Sequence, residues 1–82
     1  MKTYDEFIGE VHTLRKTYPS YIRKGQGVFN AVEEIYGPDV ARYVQFNEGI
    51  DCFYDDSMIT AFLVCCYNRY MFLEKEKNEK DK

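Results

Sequence analysis

Two strong helix breakers divide the chain, and the apolar residues between them recur at the spacing of an α-helix. Pro19 interrupts the first part of the sequence, and the pair Gly37-Pro38 interrupts the middle. Residues three and four apart share one face of a helix, whereas a half-buried strand alternates apolar and polar positions. The apolar residues follow the helical pattern, and no segment has a convincing strand pattern. The sequence therefore predicts an all-α fold.

The periodicity predicts three main helices and one short helix. They are expected at residues 3–18, 21–36, 39–46 and 56–75, the third being the short one. A chain of 82 residues has room for one domain. We therefore expect a small compact bundle, a single helical domain over residues 1–75. The end of the chain, residues 76–82, is charged and carries no core residue, so it is predicted to fray into solvent.

Each main helix carries one apolar stripe that is predicted to form the core. In the first helix the stripe comprises Tyr4, Phe7, Ile8, Val11, Leu14 and Tyr18. In the second it comprises Tyr21, Gly25, Val28, Phe29, Val32, Ile35 and Tyr36. In the fourth it comprises Ile59, Phe62, Leu63, Cys66, Tyr70 and Leu73.

The ends of the helices and two glycines carry more specific signals. Thr3 and Glu6 have the spacing of a capping box, and Ser20 is predicted to cap the second helix. Gly25 lies on the apolar face of that helix, which the close approach of another backbone would explain. Gly27 lies off that face, and the sequence offers no account of it. A late start or a kink of the second helix at these glycines is therefore an alternative to a helix over 21–36.

Gln26 and Asn30 are four residues apart, so they share one face of the second helix beside its apolar stripe. We expect their side chains to hydrogen-bond the backbone of a packed loop, the segment 47–54. Contact with a ligand or a partner is the alternative.

Charge is unevenly distributed, although the net charge is only −3. Residues 12–32 contain four Lys or Arg residues and no acid, whereas residues 33–56 contain seven acids and one base. A weakly acidic chain lacks the dominant basic face of a general nucleic-acid binder, which argues against direct nucleic-acid binding. The acidic middle is suited instead to a basic partner. A solvated surface without a partner is the simpler interpretation.

The acids are densest in the stretch DCFYDD, which begins at Asp51. Asp55 or Asp56 stands where the N-cap of the fourth helix belongs, with the other in its first turn. Phe53 can reach back onto the first turns as a hydrophobic staple. A metal site is a weaker alternative, because calcium loops need more oxygen ligands, a glycine and a closing glutamate. In a third interpretation Asp51 and Tyr54 project from the loop towards a partner.

No metal, cofactor or catalytic site is predicted. A zinc site built from His12 and the cysteines needs four converging ligands, but the adjacent Cys65 and Cys66 point about 100° apart on a helix. The chain has no recognisable nucleophile–base pair, so we predict that it is not an enzyme. The odd number of cysteines and the lack of an apolar leader indicate a protein of a reducing, intracellular compartment. The longest apolar run is too short to span a bilayer, so no membrane association is expected.

Three strings, GQGVFN, GPDVA and DCFYDD with MITAFL, occur in this order between residue 23 and about residue 63. They resemble a pattern of small uncharacterised proteins of tailed phages and prophages: GQ, FN, a proline-led short helix, then D-P-F-Y-D-D and an amphipathic helix. The chain departs from that pattern at Cys52, where proline is expected, and this predicts a less rigid loop. The resemblance brings no activity with it. It implies a phage or mobile-element product that acts inside a bacterial cell.

We therefore predict a small non-enzymatic protein that binds another protein in the cytoplasm of a bacterial host, as a host-takeover or anti-defence inhibitor. Its partner would be a host protein such as a nucleic-acid-binding enzyme, whose basic surface the acidic face would occupy. One alternative is a nucleic-acid-binding regulatory domain that uses Arg15, Lys16, Arg23 and Lys24. Another is a structural or virion-associated subunit that forms a homo-oligomer. The predicted partner-binding residues are Glu33, Glu34, Asp39, Glu48, Asp51, Tyr54, Asp55 and Asp56.

Overall fold

The computed structural model describes residues 2–80 as a bundle of helices, and no strand occurs among them. The helices are α1 (Tyr4–Arg15), α2 (Lys24–Tyr36), α3 (Pro38–Tyr43) and α4 (Ile59–Lys80). A π-helical turn (Val44–Glu48) continues α3, and a 3-10 turn (Asp56–Met58) leads into α4. The predicted all-α fold, with three main helices and one short one, is confirmed. Within the described range, every helix is too short or too polar to span a membrane.

Several predicted helix ends are wrong by a few residues. α1 ends at Arg15, before the predicted residue 18, and α2 begins at Lys24 rather than residue 21. α4 extends to Lys80, beyond the predicted residue 75. The tail predicted to fray, 76–82, falls partly on this helix and partly outside the described residues.

The N-terminus of α1 has the predicted capping box. The Glu6 amide donates to Thr3 Oγ1 over 3.2 Å, and the Thr3 amide donates to Glu6 Oε1 over 3.0 Å. The hydrogen bond from the Thr3 amide, together with the Thr3 hydroxyl, holds the pKa of the Glu6 carboxyl below its usual value. The reciprocal pair satisfies amide groups that a helix end leaves without partners.

The core lies between the inner faces of α1, α2 and α4. Phe7 is fully buried; its ring stacks on Tyr36 with centroids 4.6 Å apart and meets Tyr67 edge-on at 5.4 Å. Phe62, also fully buried, stacks on Phe29 at 5.4 Å. Burying each phenylalanine contributes about 2–3 kcal/mol of transfer free energy. All of these rings except Tyr67 come from the predicted apolar stripes.

Tyr21 is the exception among the predicted core residues, because 82% of its surface is exposed. It was assigned to the apolar face of the second helix on periodicity alone. Since α2 begins only at Lys24, Tyr21 lies in the connecting loop and has no helical face to share.

The two glycines at the start of α2 allow two close contacts. A Cβ on Gly25 would lie 2.1 Å from the carbonyl oxygen of Cys52, so the predicted close approach of another backbone is confirmed. A Cβ on Gly27 would lie 2.9 Å from Cγ of Arg15. Gly27 is therefore buried under the Arg15 stem at the α1–α2 contact, which corrects its predicted position away from the packed face.

Candidate partner-binding surface

The loop that precedes α4 is fastened to the first turn of α2. The guanidinium of Arg23 donates to the carbonyl oxygens of Phe53, over 2.6 Å, and of Tyr54, over 3.2 Å. The thiol of Cys52 donates to the carbonyl oxygen of Gly25 over 3.2 Å. These contacts join segments that are far apart in the sequence, so the tertiary fold positions this loop.

Asp56 caps α2 from across the structure. Its Oδ1 accepts a hydrogen bond of 2.9 Å from the amide of Gly25. Carboxylates are favourable at this end of a helix, where amides lack partners and the dipole is positive. The predicted cap, Ser20, is therefore wrong: the N-cap position belongs to Arg23, whose side chain makes no capping bond.

Asp55 is the N-cap of the turn that leads into α4, as predicted. Its Oδ1 accepts hydrogen bonds from the hydroxyl of Ser57, over 2.6 Å, and from the Ser57 amide, over 3.0 Å. These two bonds hold the pKa of the Asp55 carboxyl below its usual value. The two adjacent aspartates thus cap two different helical segments.

Asp51 uses both carboxylate oxygens within the protein. Oδ1 accepts from the amide of Phe53 over 2.8 Å, and Oδ2 accepts from Nε2 of Gln45 over 2.9 Å. The first bond spans two residues and closes a local turn of the aspartate type. Asp51 is half-buried and shapes the loop. It does not project from the loop, in contrast to the third interpretation of the sequence.

Tyr54 does project: 74% of its surface is exposed. The ring packs edge-on against Phe53, with centroids 4.8 Å apart, and the Arg23 guanidinium lies 5.8 Å from its centroid. A depression of about 220 Å³ beside it is lined by Phe29, Arg42, Gln45, Phe53 and Tyr54. The arrangement presents a large aromatic side chain whose backbone is held in place.

The other predicted binding residues lie outside this loop. Glu33, on α2, pairs with Arg42 Nε at 2.7 Å, and Glu34 accepts a hydrogen bond of 2.8 Å from the Tyr18 hydroxyl. Four of the predicted binding residues thus lie together before α4, namely Asp51, Tyr54, Asp55 and Asp56. Glu33 and Glu34 instead contact other parts of the bundle.

Asp39 and Glu48 are exposed, in the first turn of α3 and in the π-helical turn. Among the side chains that the structure describes, residues 2–77, their carboxylates make no hydrogen bond or ion pair. They are the predicted acids that the fold leaves without an internal partner.

No sequence pattern indicates the role of Arg23, and the hydrogen bonds predicted for Gln26 and Asn30 do not occur among the described residues. The side chains of Gln26 and Asn30 make none of the expected hydrogen bonds to the loop within the described chain. Arg23 was counted only as part of a basic patch. Its carbonyl partners lie 30 and 31 positions further along the chain, so no local spacing could have indicated them.

The cysteines behave as small buried groups. Cys52 and Cys66 are fully buried, and burial raises the pKa of the Cys52 thiol to about 12 and also raises that of Cys66. A raised pKa keeps the thiol protonated and weakly nucleophilic at neutral pH. Among the described residues, no group of three or more His, Cys, Asp or Glu side chains is arranged to hold a metal ion.

Comparison with known proteins found no matching family model, no matching curated protein and no matching solved structure. The strings that carry the resemblance to phage proteins do meet in the structure. Gly25, from GQGVFN, contacts Cys52 and Asp56 from DCFYDD, and Phe29 packs edge-on against Phe53 with centroids 5.6 Å apart. Function is accordingly argued from this geometry.

Proposed function

We propose that this protein is a small non-enzymatic protein of phage or mobile-element origin that binds a host protein through the Tyr54 surface. That surface comprises Phe53, Tyr54 and Asp55 with the adjoining Arg42 and Gln45. We further propose that it acts in the bacterial cytoplasm as a host-takeover or anti-defence inhibitor. The observation that carries the proposal is the 74% exposure of Tyr54 on a loop pinned by hydrogen bonds.

A pinned, exposed tyrosine has the properties of a binding anchor. Tyrosine is enriched among the residues that dominate interface energetics, and it buries a large area while losing few rotamers. Because Arg23 already holds the backbone at Tyr54, little further ordering is needed on binding. The depression beside the ring offers a partner side chain a place to insert.

The charge of the loop suggests a basic partner. Asp51, Asp55 and Asp56 accept hydrogen bonds inside the protein, and a cluster of three carboxylates attracts cations. Charge complementarity of this kind increases association rates and selects partners. A nucleic-acid-binding surface of a host enzyme has the required sign, and the resemblance to phage proteins supports a host target.

The first experiment compares two exposed tyrosines. Tagged wild-type protein, Tyr54→Ala and Tyr21→Ala are used to capture proteins from the bacterial host, and the captured proteins are quantified by mass spectrometry. Tyr21 is the matched control because it is also highly exposed, at 82%, but belongs to a different loop. A partner on the Tyr54 surface is retained by Tyr21→Ala and lost by Tyr54→Ala.

Purified partner then allows a quantitative test. Loss of an anchor of about 2 kcal/mol weakens binding roughly 30-fold. Circular dichroism checks that Tyr54→Ala is folded. If the folded variant binds the partner as tightly as wild type does, the Tyr54 surface does not bind this partner.

A second variant tests how the charges of Asp55 and Asp56 contribute to binding while their capping hydrogen bonds are kept. The double variant Asp55→Asn/Asp56→Asn removes two charges, while asparagine keeps a side-chain oxygen for capping. We expect slower association at low salt and a smaller difference at high salt. Unchanged association rates at low salt would contradict a role for these charges.

A second candidate function, a self-assembling structural or virion-associated subunit, is favoured by one face of α4. Val64 and Phe72, with 41% and 52% of their surface exposed, lie near one another around the helix together with Asn68. A second copy of the chain covering this face would bury both side chains. Analytical ultracentrifugation over a range of protein concentrations tests this second function. Self-association that Phe72→Ser abolishes supports a self-assembling subunit, and a monomer at every concentration rejects it.

A further inference from the structure

Three cations at the α1–α2 junction stand apart from the other basic side chains of the bundle. These junction cations are Arg15, Lys16 and Lys24. The other basic side chains of residues 2–74 bond to internal oxygen atoms: Lys2 to Glu10, Arg23 to two carbonyls, Arg42 to Glu33 and Arg69 to the Asp39 carbonyl. Among the described side chains, residues 2–77, the junction cations make no hydrogen bond or ion pair with an oxygen atom; their one polar contact is from Arg15 Nε to Nδ1 of His12, over 3.5 Å.

The junction cations are close enough to act on the same neighbour. Burial lowers the pKa of His12, and the charges of Arg15, Lys24 and Lys16 lower it further. Arg15 and Lys16 complement the negative end of the α1 dipole. Lys24 does not have this explanation, because it lies in the first turn of α2, where the dipole is already positive and the one nearby carboxylate, Asp56, accepts from the Gly25 amide.

A concavity of about 270 Å³ lies at the same place. It is lined by Arg15, Lys16, Tyr18, Pro19, Ser20, Ile22 and Gly27. Ser20, which is exposed and does not cap α2, has a hydroxyl that can donate to a ligand. Tyr21 belongs to the same loop and exposes 82% of its surface. Two of the junction cations, Arg15 and Lys16, and the Ser20 hydroxyl thus line an open space, and the chain segment that follows Ser20 carries an exposed aromatic ring and Lys24.

We propose that this junction is a binding site for a phosphate-bearing ligand. The junction cations and the Ser20 hydroxyl contact the phosphate oxygens, and Tyr21 offers a face on which a nucleobase stacks. A local site of this kind is compatible with a net negative chain, which lacks the extended basic face of a general nucleic-acid binder. Free nucleotides and nucleic acids share the recognised chemistry, and the experiment separates them. The site is independent of the Tyr54 surface.

The test is a titration of ¹⁵N-labelled protein with inorganic pyrophosphate, ATP and an eight-nucleotide single strand, followed by NMR at low salt. The Gly27 amide is the reporter, because Gly27 lines the concavity. We expect saturable shifts at Gly27. Each charge-assisted contact that is removed weakens binding by about tenfold or more.

The decisive variant is Lys16→Gln/Lys24→Gln, which spares Arg15 because the Arg15 stem packs on Gly27. Its matched control, Lys75→Gln/Lys77→Gln, removes the same charge from exposed positions of α4. Binding that weakens at least tenfold in the first variant and stays unchanged in the control supports the site. Equal weakening in the two double variants indicates diffuse charge attraction and overturns the proposed site. The absence of shifts at Gly27 with all three probes overturns it as well.

The probes then identify the source of the phosphate. ATP binding more tightly than pyrophosphate, with the difference lost in Tyr21→Ala, indicates a nucleotide. A single strand binding more tightly than ATP, with a steeper salt dependence, indicates nucleic acid. Tyr54→Ala leaves all three affinities unchanged, so failure of the proposed protein-binding function does not affect this test.

Discussion

Gly25 is the single residue on which the docking of the loop on α2 depends most directly. Its missing side chain lets the Cys52 carbonyl and the Asp56 carboxylate reach the first turn of α2. A Cβ would lie 2.1 Å from the Cys52 oxygen and 2.7 Å from Asp56 Oδ1. The first of these is a backbone atom, which cannot rotate away as the end of a flexible side chain can.

We therefore predict that Gly25→Ala destabilises the protein by about 2 kcal/mol or more, because the loop must move away from α2. Gly9→Ala is the matched control, since Gly9 is exposed within α1 and nothing lies within 4 Å of an added Cβ. That variant is expected to gain about 0.5–1 kcal/mol from helix propensity. Urea unfolding measures both, and a Gly25→Ala protein as stable as wild type would contradict the close contact.

Asp56 provides a second prediction at the residue scale. Asp56→Ala removes the acceptor for the Gly25 amide and is expected to cost about 1 kcal/mol, the usual value for a lost N-cap. Asp56→Asn keeps a side-chain oxygen and should retain most of the stability. If urea unfolding shows equal losses for the two variants, the charge of Asp56 matters more than its capping bond.

At the scale of elements, Arg23 connects the loop before α4 with the start of α2. Its guanidinium holds two successive carbonyls of the loop, so the orientation of Tyr54 depends on a residue outside the loop. The loop does not need proline at Cys52 for this: the Cys52 thiol bonds to the Gly25 carbonyl, and Arg23 adds two further contacts. Long-range hydrogen bonds can thus replace local stiffness.

We predict that Arg23→Gln loosens the loop while leaving the helices in place. The amides of Gly25 and Phe53 should exchange hydrogen faster, and partner affinity should fall although Tyr54 is intact. For hydrogen exchange the control is Arg42→Gln, which removes an equal charge from an exposed ion pair with Glu33 that contributes little. Partner affinity is compared with wild type alone, because Arg42 belongs to the Tyr54 surface. Hydrogen exchange that is unchanged in Arg23→Gln, or equally raised in both variants, would show that Arg23 does not restrain the loop.

At the scale of the whole molecule, a small set of rings holds three helices together. A chain of this length has a total stability of about 4–12 kcal/mol, so one core side chain can decide whether it folds. Phe7 is fully buried and contacts rings from α2 and α4, namely Tyr36 and Tyr67.

We accordingly predict that Phe7→Ala costs about 3–5 kcal/mol and leaves a substantial fraction of the protein unfolded. Phe72→Ala is the control, because Phe72 is 52% exposed on α4, and it should change stability by less than about 1 kcal/mol. Thermal unfolding followed by circular dichroism distinguishes them. Similar melting temperatures for the two variants would mean that Phe7 is not at the centre of the core.

The stability of the whole molecule should also fall in acid. Glu6 and Asp55 have pKa values below their ordinary values of 4.5 and 3.8, because their charged forms accept hydrogen bonds. At acidic pH the unfolded chain therefore binds more protons than the folded one. The stabilisation is complete above the ordinary pKa values and is lost as the pH falls through the lowered pKa values of the folded protein. Urea midpoints from pH 6 to pH 2 should decline, less steeply in Glu6→Gln/Asp55→Asn. An identical slope in that variant would contradict this origin.

Features that depend on residues a few positions apart could be predicted from the sequence. The helical class, the apolar stripes, the Thr3–Glu6 capping box and the N-cap at Asp55 all follow from periodicity or from short-range hydrogen bonds. Gly25 belongs with them in part: its position on an apolar face indicated a close contact, though not its partner.

The assembly of the Tyr54 surface depends on contacts between residues that are far apart in the sequence. The start of α2, and with it the exposure of Tyr21, could not be predicted because Asp56 caps that helix from a position 31 residues away. Arg23 likewise meets carbonyls 30 and 31 residues further on. Which distant groups meet is set by the packing of whole helices, since burial of their apolar faces fixes the relative positions of the ends and loops that they carry.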